Sequence, residues 1–152
     1  MRKIMAFIAF LILISGCAMA EDGRVFILCN PSSFVNVHRN PRNTSENAGR
    51  LECGESALTD GKTKNGFLHI LNVTEYGEGW VFMGYVTEEE PEVRNAWAYV
   101  ARNRVRARRY IRGERIGWLG TGDEIRVYAH TSEWAVTSKG FVNMDYLELW
   151  YE

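Results

Sequence analysis

The chain contains the stretch Gly79-Trp80-Val81-Phe82-Met83-Gly84-Tyr85-Val86 and repeats its pattern 61 residues later as Gly140-Phe141-Val142-Asn143-Met144-Asp145-Tyr146-Leu147. Both stretches run Gly, aromatic, Val, any residue, Met, any residue, Tyr, branched aliphatic. Further back, Leu51-Glu52-Cys53-Gly54-Glu55 matches Leu119-Gly120-Thr121-Gly122-Asp123 at an offset of 68, and Val37 matches Val105 at the same offset. Matches that keep their order while the offset changes only at loops indicate two copies of one structural unit.

Size and composition fit a globular protein made of two small modules. The chain has 152 residues, of which 46% are hydrophobic and 24% charged, with 14 glycines, and this is not the composition of a disordered chain. Each copy has roughly 55 to 65 residues, which is enough for a small core of its own. The formal net charge of −1 gives no general attraction to nucleic acid, so nucleic acid is not expected as a partner.

The N-terminus has the layout of a secretory signal. Arg2 and Lys3 precede an almost unbroken apolar run over residues 4–14, which is shorter than the about 20 residues that span a membrane. The stretch Ile14-Ser15-Gly16-Cys17 resembles a bacterial lipobox and predicts a signal peptide over residues 1–16 with a lipid on Cys17. The competing stretch Ala18-Met19-Ala20 resembles an ordinary signal-peptidase site. Cleavage after residue 20 would give a soluble periplasmic or secreted protein instead.

Export changes the interpretation of the two other cysteines. Cys29 and Cys53 form an even pair, and both belong to the first copy, since their repeat partners at an offset of 68 are Trp97 and Thr121. In an oxidising compartment such a pair predicts one disulfide. Two separate buried thiols are the alternative.

Short β-branched and aromatic runs, separated by turn residues, predict an all-β fold. About five such runs occur in each copy and none has a helical period longer than one turn, which is typical of a small barrel. The first module is predicted over residues 24–86 and the second over residues 97–149. Between them, residues 87–96 carry Pro91 and a run of glutamates and are interpreted as an acidic linker.

These elements resemble the bacterial SH3 (Src-homology-3-like) domain, twice in tandem. In the first copy the resemblance rests on Val35-Asn36-Val37-His38-Arg39-Asn40-Pro41, Gly49-Arg50-Leu51-Glu52-Cys53-Gly54-Glu55, Gly66-Phe67, Gly79-Trp80-Val81 and Tyr85-Val86. In the second it rests on Arg104-Val105-Arg106-Ala107, Gly117-Trp118-Leu119-Gly120-Thr121-Gly122-Asp123-Glu124-Ile125, Glu133-Trp134, Gly140-Phe141-Val142 and Tyr146-Leu147. The resemblance implies two tandem SH3-like β-barrels after the signal peptide.

The same resemblance implies a non-catalytic binding module at the bacterial cell envelope. Its expected ligand is cell-wall peptidoglycan, especially the short peptides of that polymer. The alternative is an adaptor that tethers an envelope enzyme or another envelope protein. The lipid on Cys17 would attach the module to the membrane.

Neither catalysis nor a cofactor is expected from the remaining polar residues. His38, His69 and His130 are the histidines of the chain, and strand alternation predicts that His38 faces outward. A cysteine nucleophile with a histidine base would need a further segment to house a peptidase domain. The cysteines and histidines also lack the close pairs typical of zinc sites.

The unusual local feature is a run of arginines. Arg102, Arg104, Arg106 and Arg108 alternate in the sequence, so on a strand all four would project from one face. Such a strip can bind an anion through paired guanidinium contacts. Alternatively, it is a solvated strand that neutralises the acidic linker or prevents edge pairing.

Aromatic residues supply a second set of candidates, because flat rings bind peptides and sugar faces with little loss of entropy. Most aromatic residues of the repeated pattern, such as Trp80 and Phe141, are interpreted as core residues. The tyrosines that close each module, Tyr85 and Tyr146, are expected to be half exposed. The predicted ligand-binding residues are Arg104, Arg106, Arg108, Tyr85, Trp118 and Tyr146.

Overall fold

The computed structural model describes residues 23–71 and 77–152. The predicted signal peptide, both cleavage sites and the lipidation site Cys17 lie outside the described residues. In the part of the chain that is described, no helix has the length and apolar character needed to cross a membrane.

The first module is one antiparallel sheet of seven strands. They are β1 (Arg24–Ile27), β2 (Phe34–His38), β3 (Asn47–Glu52), β4 (Ser56–Lys64), β5 (Phe67–Leu71), β6 (Glu78–Phe82) and β7 (Val86–Thr87). Their order in the sheet is β3-β2-β6-β5-β4-β1-β7. A short 3-10 turn, Met83–Tyr85, joins the last two strands.

The second module repeats this arrangement strand for strand. Its strands are β8 (Ala96–Val100), β9 (Val105–Arg108), β10 (Arg115–Leu119), β11 (Glu124–His130), β12 (Trp134–Thr137), β13 (Gly140–Asn143) and β14 (Leu147–Trp150). Their order is β10-β9-β13-β12-β11-β8-β14, and a 3-10 turn, Met144–Tyr146, precedes the last strand. The repeated sequence pattern is therefore one structural unit: strand, 3-10 turn, strand.

Each sheet encloses a core built from alternate residues of its strands, because successive side chains point to opposite faces. The core of the first module contains Val25, Ile27, Cys29, Val35, Val37, Leu51, Ala57, Leu68, Ile70 and Val81. That of the second contains Ala96, Ala98, Val100, Val105, Ala107, Leu119, Ile125, Val127, Ala135 and Val142. Because nearly every strand contributes to one cluster, each sheet curves around its core.

The all-β prediction is confirmed, with two sheets as the repeat predicted. Among the described strands, neither sheet closes into a barrel. The first sheet runs from β3 to β7 and the second from β10 to β14, and the two end strands of each sheet do not pair with each other. The sheets are thus strongly curved but open.

Strand pairing corrects the alignment of the two copies. Val35 pairs with Leu51 and Val105 pairs with Leu119, so Val105 corresponds to Val35 at an offset of 70, and the match of Val37 with Val105 is wrong. The physical reason is loop length: residues 39–46 connect β2 to β3, whereas the shorter segment 109–114 connects β9 to β10.

The first strands are shifted further. Ile27 pairs with Val86, and Val100 pairs with Leu147, which gives an offset of 73. The repeat partner of Cys29 is therefore Arg102 and not Trp97.

The two modules pack against each other through a third apolar cluster. It joins Leu28 of the first module to Ala129, Trp134, Val136 and Phe141 of the second, with Cys53, Tyr85, Ile111 and Tyr128 packed around it. The connecting segment also contacts the second module, since the Glu89 carboxylate accepts hydrogen bonds from the backbone N–H and the hydroxyl of Ser132 at 2.9 and 2.5 Å. Buried apolar contact and these hydrogen bonds hold the modules together.

Candidate functional site

A cavity of about 650 Å³ lies on the second module, and we call it the arginine cavity. It is lined by Arg102, Asn103, Arg104, Val105, Arg106, Arg108, Arg112, Trp134, Asn143 and Tyr146. These residues come from the turn before β9, from β9 itself, from the loop that follows it, and from β12, β13 and the 3-10 turn. Five guanidinium groups thus meet at one concave surface.

The arginines reach this cavity differently from the sequence prediction. Strand β9 begins at Val105, so the expectation that four arginines alternate along one strand is wrong for Arg102 and Arg104. The chain turns there: the backbone N–H of Arg104 donates to Asn103 Oδ1 at 3.0 Å, and Arg104 has a left-handed φ of 55°. The turn folds the first two arginines towards the same cavity that Arg106 and Arg108 line.

Of the five arginines that line the cavity, Arg112 lies 3.6 Å from the Glu133 carboxylate, and the other four have no carboxylate partner among the described residues. Among the described residues, no carboxylate forms a salt bridge with Arg102, Arg104, Arg106 or Arg108. Arg108 Nη1 donates to the backbone oxygen of Gly113 at 2.8 Å, which fixes that side chain without neutralising it. Like charges held close together in a partly enclosed space attract an anion strongly.

The linker glutamates do not supply the missing negative charge. Glu92 faces Arg94 at 4.0 Å and His130 at 3.6 Å, while Glu89 is bonded to Ser132. The alternative that the arginines neutralise the acidic linker therefore finds no ion pair to support it among the described residues.

Two of the predicted aromatic residues lie with the arginines. Tyr146 lines the cavity, and the guanidinium of Arg102 lies 5.6 Å from the centre of its ring. Trp118 lies beside the cavity on β10, directly opposite Arg106, and is 45% exposed. The guanidinium groups of Arg104, Arg106 and Arg115 lie 5.3, 5.9 and 4.5 Å from its ring centre. Cation–π contacts of this kind hold arginine side chains in place at a surface.

Trp134 adds a hydrogen-bond donor that has no partner. The residue is only 7% exposed, it lines the cavity, and its indole nitrogen finds no hydrogen-bond acceptor among the described residues. A buried N–H without a partner is costly, and this cost belongs to the packing of Trp134 in the apolar cluster between the modules.

Tyr85 is not brought to the arginine cavity. It lies between the modules, where its ring is 5.9 Å from the ring of Phe82, 6.3 Å from Tyr110 and 5.9 Å from Phe141. Burial raises the pKa of its hydroxyl. We therefore assign Tyr85 to inter-module packing, although its counterpart Tyr146 lines the cavity.

The histidines are less exposed than strand alternation predicted. His38 and His69 are each 8% exposed, so the outward placement of His38 is wrong, because β5 and its side chain Phe67 cover that face at a ring distance of 5.7 Å. His69 lies between two carboxylates, with Nδ1 2.8 Å from Asp60 and Nε2 3.2 Å from Glu78. In the described ranges, neither these three side chains nor any other group of three or more is arranged to hold a metal ion.

Asp60 is held in its ionised form by this arrangement. Burial opposes ionisation, but hydrogen bonds from the Lys62 backbone and from His69 outweigh it and lower the pKa of Asp60 below its usual value. The cluster ties β4, β5 and β6 together.

The cysteine thiols of the first module are in contact and unbonded in this structure. Cys29 is buried and donates a hydrogen bond to the half-buried Cys53. That bond, together with burial, raises the pKa of Cys29, and it lowers the pKa of Cys53 to about 7. The disulfide between them stays a prediction, and the contact between the thiols is what its formation requires.

Sequence reasoning left Trp134 and Asn143 out of the predicted site. Aligning the strands by their pairing shows the repeat positions of both residues. Asn143 corresponds to Phe82, and Trp134 corresponds to Phe67. A polar residue at an aromatic position of the repeat marks the difference between the two modules.

Fold and site together define an all-β protein of two curved sheets with an arginine-lined cavity on the second. The sequence matches no protein-family profile, and the search of curated proteins found no match. Among solved structures, the chain is similar to NlpC1 and NlpC2 from Trichomonas vaginalis, each at 12% identity and a TM-score of 0.36. The alignments cover 89% of this chain but 48% of NlpC1 and 50% of NlpC2, so the chain spans about half the length of these proteins.

Proposed function

We propose that this protein is a non-catalytic binding module of the bacterial cell envelope, built from two tandem SH3-like modules. In this proposal it is exported, carries a lipid on Cys17 that attaches it to the membrane, and recognises peptidoglycan. The observation that carries the ligand assignment is the arginine cavity, in which Arg102, Arg104, Arg106 and Arg108 form no salt bridge with a described carboxylate.

The chemistry of the cavity favours a carboxylate-bearing peptide. A guanidinium group binds a carboxylate through two parallel hydrogen bonds, and the bond is stronger where water is partly excluded. The short peptides of peptidoglycan carry free carboxylates on a flexible backbone. The ring of Tyr146 offers a flat apolar wall for such a chain, and Asn143, whose Oδ1 accepts from the backbone N–H of Asp145 at 2.9 Å, offers its amide N–H donors.

The test is co-sedimentation of residues 21–152, the mature protein without its lipid-bearing Cys17, with insoluble peptidoglycan. It compares the native protein with the triple variant Arg104→Ala, Arg106→Ala, Arg108→Ala at about 50 mM and about 500 mM salt, which changes the screening length several-fold. We expect salt-sensitive binding that the variant weakens by about tenfold or more, since hydrogen bonds to charged groups contribute about 1.5–3 kcal/mol each.

A matched control removes the same amount of charge elsewhere. Arg24, Arg42 and Arg50 are exposed residues of the first module, and changing all three to Ala should leave the bound fraction within about twofold, because screened charges far from the cavity contribute little. Equal losses in both triple variants would mean that total charge, and not the cavity, causes binding.

The second candidate function is an adaptor that binds an envelope protein. The exposed Trp118 with three arginines around its ring favours it, since Trp and Arg are the residue types that dominate protein–protein binding energy. No binding of native protein to peptidoglycan at either salt concentration would refute the wall-binding proposal. Capture of one defined envelope protein that is lost in Trp118→Ala would then support the adaptor.

A further inference from the structure

The first module has a surface whose residues correspond to those of the arginine cavity. Strand pairing sets Phe67 opposite Phe82 in the first module and Trp134 opposite Asn143 in the second. The backbone oxygens of Tyr85 and Tyr146 likewise accept equivalent hydrogen bonds, from Leu28 and Ala101. Phe82, Gly84 and Tyr85 therefore form the counterpart of a surface that is open in the second module, and we call it the tyrosine groove.

The tyrosine groove is occupied by a side chain of the second module. The ring of Tyr110 lies 4.7 Å from the ring of Phe82 at 87°, and 6.3 Å from the ring of Tyr85 at 68°. Edge-to-face contacts at these distances are the preferred geometry of aromatic pairs. The next residue, Ile111, donates its backbone N–H to the backbone oxygen of Gly84 at 2.9 Å.

The fit around the Tyr110 ring is close on two sides. A Cβ atom placed on Gly84 would lie 2.6 Å from this ring, and one placed on Gly113 would lie 2.5 Å from it. Neither position has room for a side chain unless the ring moves. The ring is thus seated between two glycine backbones, as a ligand is seated in a formed pocket.

The segment that carries Tyr110 is a turn closed mainly by its own hydrogen bonds. Arg109 N–H donates to the oxygen of Glu114 at 3.0 Å, and Gly113 N–H donates to the oxygen of Tyr110 at 2.9 Å. A salt bridge of 2.7 Å joins the side chains of Arg109 and Glu114. The turn presents one ring and one backbone N–H to the first module, which is the way a short peptide binds a groove.

We propose that the tyrosine groove is a second peptide-binding site, and that Tyr110 of the same chain fills it. Its ligand is a peptide of a partner protein that carries a tyrosine followed by a branched aliphatic residue. The ring enters between Phe82 and Tyr85, and the next backbone N–H bonds to Gly84. The partner peptide binds when Tyr110 leaves, so the contact is autoinhibitory.

The test uses the mature protein with Tyr110→Ala and a synthetic peptide that has the sequence of residues 108–114, with blocked ends. Binding is measured by chemical-shift changes in ¹H–¹⁵N spectra. We expect the variant to bind this peptide about tenfold or more tightly than a control peptide with alanine in place of tyrosine, with the shifts centred on Gly84. The native protein, whose groove is filled, should bind neither peptide.

A folded Tyr110→Ala variant that binds both peptides equally, or neither, overturns the proposal. Should circular dichroism show that this variant is unfolded, Gly113→Ala takes its place, because its added Cβ displaces the ring without removing it. Absence of tyrosine-dependent binding to Gly113→Ala then overturns the proposal equally. Co-sedimentation of Tyr110→Ala with peptidoglycan should be unchanged, so failure here is distinct from failure of the arginine cavity as a wall-binding site.

Discussion

Gly84→Ala probes the contact of Tyr110 with the first module. The added Cβ would lie 2.6 Å from Phe82 Cε1, 2.6 Å from Tyr110 Cδ2 and 2.8 Å from Tyr110 Cγ, which is closer than carbon atoms approach. Because the Tyr110 ring also lies against the Gly113 backbone, where an added Cβ would be 2.5 Å from it, the ring has little room to move away from the new methyl group.

The expected loss of stability follows from two energetic costs, that of overpacking and that of losing an aromatic contact. Overpacking a close-packed site costs about 1–3 kcal/mol, and loss of a favourable aromatic pair costs about 0.5–1.5 kcal/mol. Since the ring can relieve one cost only by accepting the other, we expect the free energy of unfolding to fall by about 2 kcal/mol. With a urea dependence of about 2 kcal/mol per molar, the unfolding midpoint falls by roughly 1 M.

The assay is urea unfolding of the mature protein, followed by circular dichroism and by tryptophan fluorescence. The matched control is Gly117→Ala on β10, where an added Cβ meets no atom within 4 Å, so its midpoint should stay close to that of the native protein. If Gly84→Ala unfolds at the same urea concentration as Gly117→Ala, the packing of Tyr110 against the first module is not as tight as the structure indicates.

Two further predictions concern titratable groups of the first module. Reduced protein should react with iodoacetamide at Cys53 with a midpoint near the pKa of about 7, and Cys29→Ala should move that midpoint upward, because the donated hydrogen bond is lost; an unchanged midpoint would contradict the contact. Oxidised protein should show no reactive thiol, because the predicted disulfide joins Cys29 to Cys53; closing this loop of 53 − 29 = 24 residues should add about 3 kcal/mol to stability. The lowered pKa of Asp60 means that its ionisation stabilises the fold above the unfolded-state pKa of about 3.9, and that this contribution is lost as the pH falls through the folded-state pKa. Asp60→Asn should therefore flatten the acid limb of the stability profile, and a profile parallel to that of native protein between about pH 2 and pH 6 would refute this role for the contacts with His69 and the Lys62 backbone.

The architecture was predictable because the signals that specify it are local. Alternation in Val35-Asn36-Val37 buries both valines, and the repeated Gly-aromatic-Val pattern forms β6 and β13, each followed by the same 3-10 turn. Side-chain alternation with period two and turn residues at strand ends act over a few residues. His38 is buried although alternation places it on the outer face of β2, because the ring of Phe67 packs against that face.

The candidate site was predictable in part. The arginine run drew attention to the right segment, and Arg102, Arg104, Arg106 and Arg108 do line one cavity with Tyr146. The prediction that all four lie on one extended strand was wrong, since a turn before β9 brings Arg102 and Arg104 to the cavity. Loops of different length in the two copies also made the sequence alignment of the repeats wrong at the first strands. The strand pairing shows that Arg102 is the repeat partner of Cys29.

By itself, the sequence determined that the chain is all-β and consists of two copies of one unit, because repeat patterns and strand periodicity are properties of neighbouring residues. Only the tertiary structure decided which copy keeps its groove open. Tyr110 and Phe82 are far apart in the sequence, and no local pattern predicts that the ring of one fills the groove beside the other. Such a choice depends on the free energy of packing two finished surfaces, to which glycines at positions 84 and 113 contribute by the space that they leave.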